Sequence, residues 1–203
     1  LAEACAKRGV TFRYETTISG FETEGDKVSA VATDKGRVTG DLFVLSLGSY
    51  APFAARQLGI TLPIYPVKGY AVTLPIKSPD LAPRVPAVDE HFLIAYAPMG
   101  DRIRMTATAE FSGYDTSHTP ADFRVALQVA ENLFPGAGDI SRASYWAGLR
   151  PMTPEGWPRI GSTRYRNFYL NAGQGHMGWT MSHGSARLLA DLIAGRNTAI
   201  DAS

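Results

Sequence analysis

Hydrophobic and polar residues alternate with a period of two through residues 27–33, the pattern of a half-buried strand. Less regular runs at 11–14 and 17–21 predict two shorter strands before it. Turn residues Asp34-Lys35-Gly36 and Gly40 then lead into the continuous apolar run 42–47, read as a buried strand stopping at Gly48-Ser49. A short helix is predicted over 51–58. Strands at 65–74, 84–88, 91–97 and 102–109 predict a second, antiparallel sheet, with a turn at Pro98–Asp101. Thr119-Pro120-Ala121-Asp122 reads as a helix start, with Phe123, Ala126, Leu127, Ala130 and Leu133 as the buried stripe and Pro135-Gly136 as the stop. Strands return at 143–149 and 167–170, and a last helix spans 177–194 with Gly195 as its stop. The fold class expected is α+β. The expected domains are 1–64, 65–149 and 150–203, the first and last belonging together. The chain opens without Met inside a helical pattern over 1–7, which predicts a piece of a longer protein.

Composition narrows the function classes. The 203 residues are 45% hydrophobic and 19% charged with a formal net charge of +1, and no basic stripe is present, which argues against a nucleic-acid partner. Cys5 is the single cysteine, so neither a disulfide nor a thiolate metal cluster is expected. No apolar run approaches the roughly 20 residues of a membrane span, and no signal peptide is read at the start. Peripheral membrane association is left open by composition.

The candidate chemistry lies in the last third. Arg150 stands between Leu149 and Pro151, so its backbone is biased to extended geometry and its side chain projects from a strand end. A guanidinium there suits a carboxylate held by two parallel hydrogen bonds; a structural ion pair with Glu155 or Asp191 is the alternative. Gly173, Gly175 and Gly178 fall between a strand and a long helix, where free N–H groups converge on an electron-rich ligand; a plain turn is the alternative. His176 and His183 lie seven apart without a third ligand at metal spacing, so no metal site is expected. Neither a nucleophile elbow nor a zinc-protease motif occurs. The chain is read as lacking the G-x-G-x-x-G fingerprint of a dinucleotide fold, which places that unit upstream or nowhere.

Three phrases carry a family resemblance: Tyr65-Pro66-Val67-Lys68-Gly69-Tyr70, the run from Gly148 to Pro158 (G-L-R-P-M-T-P-E-G-W-P), and the run from Asn171 to Thr180. With the strand 42–49 they resemble the D-amino-acid oxidase superfamily of flavoproteins, and within it the D-amino-acid dehydrogenase small subunits, over their C-terminal half. The resemblance implies an FAD/NAD(P)-binding-type flavoprotein with an antiparallel-sheet substrate domain. It implies oxidative deamination of D-amino acids to 2-oxo acids and ammonia, by hydride transfer to the flavin. Arg150 matches the arginine that binds the substrate carboxylate, and His176 a position beside the substrate. Ile18, Gly48, Gly175, His176, Met177, Gly178, Trp179 and Thr180 match cofactor contacts. Phe92 falls where several oxidases place a substrate-side tyrosine, with Tyr96 or Tyr70 as substitutes for its hydroxyl.

The dehydrogenase branch further implies a quinone or electron-transfer-chain acceptor. It implies a cytoplasmic location, peripheral on the inner face of the bacterial plasma membrane. The N-terminal half of the same enzyme, or a second copy of the piece, is the expected protein partner. Two alternatives stay open: oxidation of a cyclic or N-alkyl amino acid, and a cofactor-free binding fragment.

Overall fold

The computed structural model describes residues 1–200, which divide into two compact units. The first comprises residues 1–63, 158–172 and the segment from Trp179 on. It begins with helix α1 (Ala2–Ala6) and an antiparallel meander of β1 (Ile18–Glu24), β2 (Lys27–Thr33) and β3 (Gly36–Thr39). The β1–β2 turn is closed by Gly25 at φ +60°, a conformation that a side chain disfavours. Residues 11–14, expected as a strand, are irregular.

The expected strand at 42–47 is shorter and less buried than its apolar run suggests. Only Phe43–Leu45 (β4) pairs, parallel to β11 (Phe168–Ala172), and β11 in turn pairs antiparallel with β10 (Arg159–Ser162), a strand the sequence pattern did not disclose. As the edge of this three-stranded sheet, β4 buries Leu45 and leaves Leu42, Val44 and Leu47 exposed. Buried Asn167 ties the meander to this sheet: its amide accepts from the Val28 N–H at 2.9 Å and donates to the Val28 carbonyl at 2.8 Å. Burying an amide is costly unless its hydrogen-bonding groups are matched in this way. Helix α2 (Ala51–Gln57) starts with proline in its first turn. Helix α4 (Gly178–Ile193) carries buried Asp191 near its C-terminal end, paired with Arg187 at 2.6 Å and Arg196 at 2.7 Å.

The second unit, residues 64–157 and 173–178, is a five-stranded antiparallel sheet. In spatial order its strands are β6 (Ala87–Asp89), β7 (Ile94–Met99), β8 (Arg102–Glu110), β5 (Tyr65–Pro75) and β9 (Ser144–Met152). β9 runs through the boundary expected at 149/150, because Tyr65–Thr73 of β5 pairs with it as far as Met152.

Directly opposed residues of an antiparallel pair share one face of the sheet. One face therefore presents Tyr70, Val72 and Leu74 from β5, Ile103 and Met105 from β8, Ile94 from β7 and Ala147 from β9. Helix α3 (Arg124–Leu133) covers this face with Ala126, Val129 and Ala130, and Phe123 fills the gap at its N-terminus. Each large apolar side chain buried here contributes about 1.5–3 kcal/mol relative to exposure. The helix starts later than expected: Pro120–Phe123 form a 3-10 turn capped by reciprocal Thr119–Asp122 hydrogen bonds. Its stripe also ends earlier, since Val129 is buried and Leu133 is 42% exposed.

Candidate active site

The other face of the sheet is smooth. Register places Gly69, Ala71 and Thr73 of β5, Gly148 of β9, Thr106 of β8 and Ala95 and Ala97 of β7 on it, a floor of small side chains with no helix above it within this unit. Arg150, Trp146 and Arg104 lie over that floor, and Tyr65, Val67 and Met152 continue the same face toward the start of β5.

Arg150 stands opposite Val67, and its guanidinium crosses β5 over Gly69 to reach β8. Nη1 donates to the Thr108 carbonyl at 2.6 Å and Nη2 to the Ala107 carbonyl at 3.5 Å. A Cβ at residue 69 would collide with the guanidinium, so the crossing requires glycine there. The accepting carbonyls belong to a bulge: Tyr70 opposes Ala107 but Lys68 opposes Glu110, and Thr108 sits at φ +67°. Half-burial of the guanidinium lowers its pKa, and no carboxylate enters among the causes. Asp191, one of the ion-pair partners weighed from sequence, is instead held by Arg187 and Arg196. Two carbonyls orient the fork without neutralising it, which suits an incoming carboxylate.

Trp146 lies over Gly148, where a Cβ would meet its ring. Arg104 donates to Thr73 Oγ1 at 3.1 Å and places its guanidinium 5.7 Å from the Trp146 ring centroid. Beside them a cleft of about 350 Å³ is lined by residues 86–88 and 95–97, Tyr96 among them, and by Arg104 and Thr106 of β8. Trp146 and Arg104 escaped the sequence reading, and Gly69 entered it only as part of the Tyr65–Tyr70 phrase. Only the strand register that pairs Gly69 with Gly148 and Thr73 with Arg104 discloses them.

Tyr70 and Tyr96, expected as substrate hydroxyls, belong to the helix-covered face. Tyr70 packs edge-on against Phe123 and donates its hydroxyl to Glu110, while Tyr96 packs against Phe134. By register neither residue shares the face of Arg150, although Tyr96 also lines the cleft beside Arg104. Phe92 lies in the turn joining β6 to β7, at the sheet edge opposite β9, with its ring against His91. Asp89 fixes that turn by accepting from the His91 and Phe92 N–H groups.

The segment 173–178 packs against the end of β9. Gly173 has φ +86°, and a Cβ there would lie 2.8 Å from Thr153; Gly175 has φ +59°, with Met152 Sδ 3.0 Å from such a Cβ. Thr153, itself buried, donates to the Trp157 carbonyl at 2.8 Å. Gly175–Met177 form a 3-10 turn that runs into α4, with His176, Met177, Trp179 and Thr180 exposed. Gly173, Gly175 and Gly178 do have the G-x-G-x-x-G spacing after a strand, contrary to the sequence reading. No strand follows α4 among the described residues, so the motif does not open a strand–helix–strand unit. The first turn of α4 carries no acidic residue, so the positive end of its dipole is not offset locally. In the first unit, Ile18 starts β1 and Gly48, at φ +53°, starts the 3-10 turn before α2.

The sheet strand that carries Arg150 is thus followed along the chain by a glycine turn that opens a long helix. The chain belongs to the FAD dependent oxidoreductase (DAO) family, which matches residues 1–192. Among its relatives is D-amino acid dehydrogenase 2 of Mesorhizobium japonicum, 48% identical over 98% of this chain and 48% of its own length. The D-amino acid dehydrogenase of Granulibacter bethesdensis is 50% identical over 99% of this chain and 48% of its own length. The chain thus spans about half the length of these curated relatives. Among solved structures, glycine oxidase from Geobacillus kaustophilus superposes with a TM-score of 0.86 at 25% identity, over 98% of this chain and 54% of its own. The L-proline dehydrogenase from P. horikoshii shares the fold at a TM-score of 0.83 and 23% identity, over 97% of this chain and 54% of its own. No helix among the described residues is long and apolar enough to cross a membrane.

Proposed function

We propose that the protein carrying this chain oxidises D-amino acids in an FAD-dependent reaction, with Arg150 as the substrate-carboxylate anchor. The observation that carries the reading is the guanidinium of Arg150, oriented by two carbonyls on the sheet face away from α3. The names of the relatives supply the substrate class.

The residues present fit a flavin. Backbone N–H groups at the start of α4, with no acid in its first turn, suit the electron-rich pyrimidine end of the ring. Gly175, His176, Met177, Gly178, Trp179 and Thr180 would hold that end, and Ile18 and Gly48 the nucleotide side. FAD, when bound, supplies the two-electron acceptor for the α-hydrogen leaving as hydride. Arg150 fixes the carboxylate and so decides which substituent of the α-carbon faces the acceptor. As the α-hydrogen departs with its electron pair, the lone pair of the neutral amine closes a C=N bond to give an iminium acid, which water hydrolyses to a 2-oxo acid and ammonium. The cleft beside Arg104 takes the substrate side chain, and exposed His176 tunes that choice. The pyrophosphate-binding unit is assigned to the remaining length that the relatives possess. Electrons leave to a quinone or another chain acceptor, with the protein cytoplasmic and peripheral to the inner face of the bacterial plasma membrane.

A substrate panel tests the reading. Anaerobic mixing of the full-length flavin-loaded protein with D-alanine should bleach the flavin and yield pyruvate, while L-alanine should not. Reduction by sarcosine or proline in preference to D-alanine would replace the substrate class.

A further inference from the structure

Behind the sheet, on the face away from Arg150, a buried lysine is used for no step above. Lys68 is 2% exposed. Its Nζ donates to the Ser117 carbonyl at 2.6 Å, lies 3.6 Å from Glu110 Oε1 and 3.9 Å from Asp115 Oδ2, and sits 5.2 Å from the centre of the Tyr70 ring. The Tyr70 hydroxyl donates to the other oxygen of Glu110. Lys68 and Tyr70 are the two β5 residues that flank the bulge in β8, and Glu110 is the first paired residue beyond it. Between them on β5 stands Gly69, under the Arg150 guanidinium. The bulge carbonyls of Ala107 and Thr108 are the groups that hold Arg150.

We infer that Lys68, Tyr70 and Glu110 form a positioning cluster that locks the β8 bulge and thereby aims Arg150 from the opposite face of the sheet; this rests on the reading of Arg150 as the carboxylate anchor. The physical reason is register. A bulge holds one surplus residue, and a β-branched residue such as Thr108 enters the left-handed region only where its surroundings over-determine it. Without an anchor beyond the bulge, β8 can shed the surplus residue by slipping. A slip of one position exchanges the faces of every later residue and withdraws the two carbonyls from Arg150. Glu110 is that anchor, gripped by a phenol and an ammonium from the neighbouring strand. Asp115 and the Ser117 carbonyl extend the grip to the following loop, where Asp115 accepts from both the N–H and the hydroxyl of Ser117 at 2.8 Å. The ionisation states agree. The Tyr70 hydrogen bond holds Glu110 below the usual carboxylate range. For Lys68, burial opposes the charge but is outweighed by Tyr70, Glu110 and Asp115, which raise its pKa.

The test is a mutant cycle in the full-length, flavin-loaded protein. Tyr70→Phe and Lys68→Met should each weaken calorimetric binding of benzoate, a carboxylate without an amine, by about tenfold, and raise KM for D-alanine by a similar factor. The kcat should change less than threefold, with flavin content unchanged. Thr108→Gly removes the conformational strain, because glycine adopts the left-handed region without help. In the Thr108→Gly background, Tyr70→Phe should therefore change benzoate affinity by less than twofold. A merely structural role would give the same loss in both backgrounds, and that result, or unchanged benzoate affinity in Tyr70→Phe and Lys68→Met, would overturn the inference. If Arg150→Ala itself leaves benzoate binding intact, the anchor reading fails; if Arg150→Ala abolishes binding while the two cluster variants bind normally, only the cluster fails.

Discussion

The guanidinium of Arg150 occupies the space that a Cβ on Gly69 would fill. The two residues sit on adjacent strands, and the missing side chain lets Arg150 reach past β5 to the carbonyls of β8. The glycine thus acts as a slot for the arginine.

Gly69→Ala should accordingly expel the guanidinium from its slot while leaving the charge in place. Loss of a charged hydrogen-bonding geometry of this kind is worth about 1.5–3 kcal/mol, or roughly 10- to 150-fold in carboxylate affinity. Benzoate titration of the full-length Gly69→Ala protein checks it; affinity within twofold of the parent would show that the guanidinium has another way across.

Phe123 is 2% exposed and meets the rings of Tyr70, Tyr145 and His118 at 5.3, 4.7 and 5.5 Å between centroids. Phe123→Ala should cost about 3–5 kcal/mol, since the surrounding β5 and β9 side chains relax only partly into the cavity. A denaturant midpoint measured on the second unit's transition tests it. A loss under 1 kcal/mol would mean that the helix-covered face repacks freely.

Asp139 accepts from the Ser141 hydroxyl at 2.5 Å, the Arg142 guanidinium at 2.7 Å and the Ser141 N–H at 3.1 Å, which lower its pKa from 3.8 to about 2. A depressed carboxylate contributes stability that is fully present above its unfolded pKa and is lost as pH falls through the folded one. The stability gap between the parent and Asp139→Asn should therefore be constant near neutral pH, shrink below about pH 4, and be about half gone at pH 3. Denaturant curves at several pH values measure it. A gap that widens on acidification would contradict the assignment.

Two features of the candidate site were legible in the chain because their signals are local: the extended strand that carries Arg150 and the glycine turn before α4. Proline after Arg150 fixes an extended backbone, and glycines between an apolar strand and an amphipathic helix mark a tight turn wherever they occur. The misreadings concern which face of a strand a residue takes. In β5 every residue from Pro66 to Val72 is buried, so alternation does not reveal which parity meets the helix, and the core packing of Tyr70 emerges only from the structure. The Gly69 slot and the Thr108 bulge depend on the register of three strands, information absent from any one of them. The apolar run 42–47 looked fully buried for a related reason: hydrophobicity does not tell an edge strand from a central one.

The central claim is that Arg150 anchors the substrate carboxylate. It is tested most directly by comparing kcat/KM for D-alanine in the full-length protein and its Arg150→Lys and Arg150→Ala variants, with flavin content measured on the same samples. A single ammonium cannot reproduce the two parallel bonds of the fork. Arg150→Lys should lose about 10²-fold and Arg150→Ala at least as much, both with flavin bound at the parent stoichiometry. Arg150→Ala turning over D-alanine with parent kcat/KM would contradict the account.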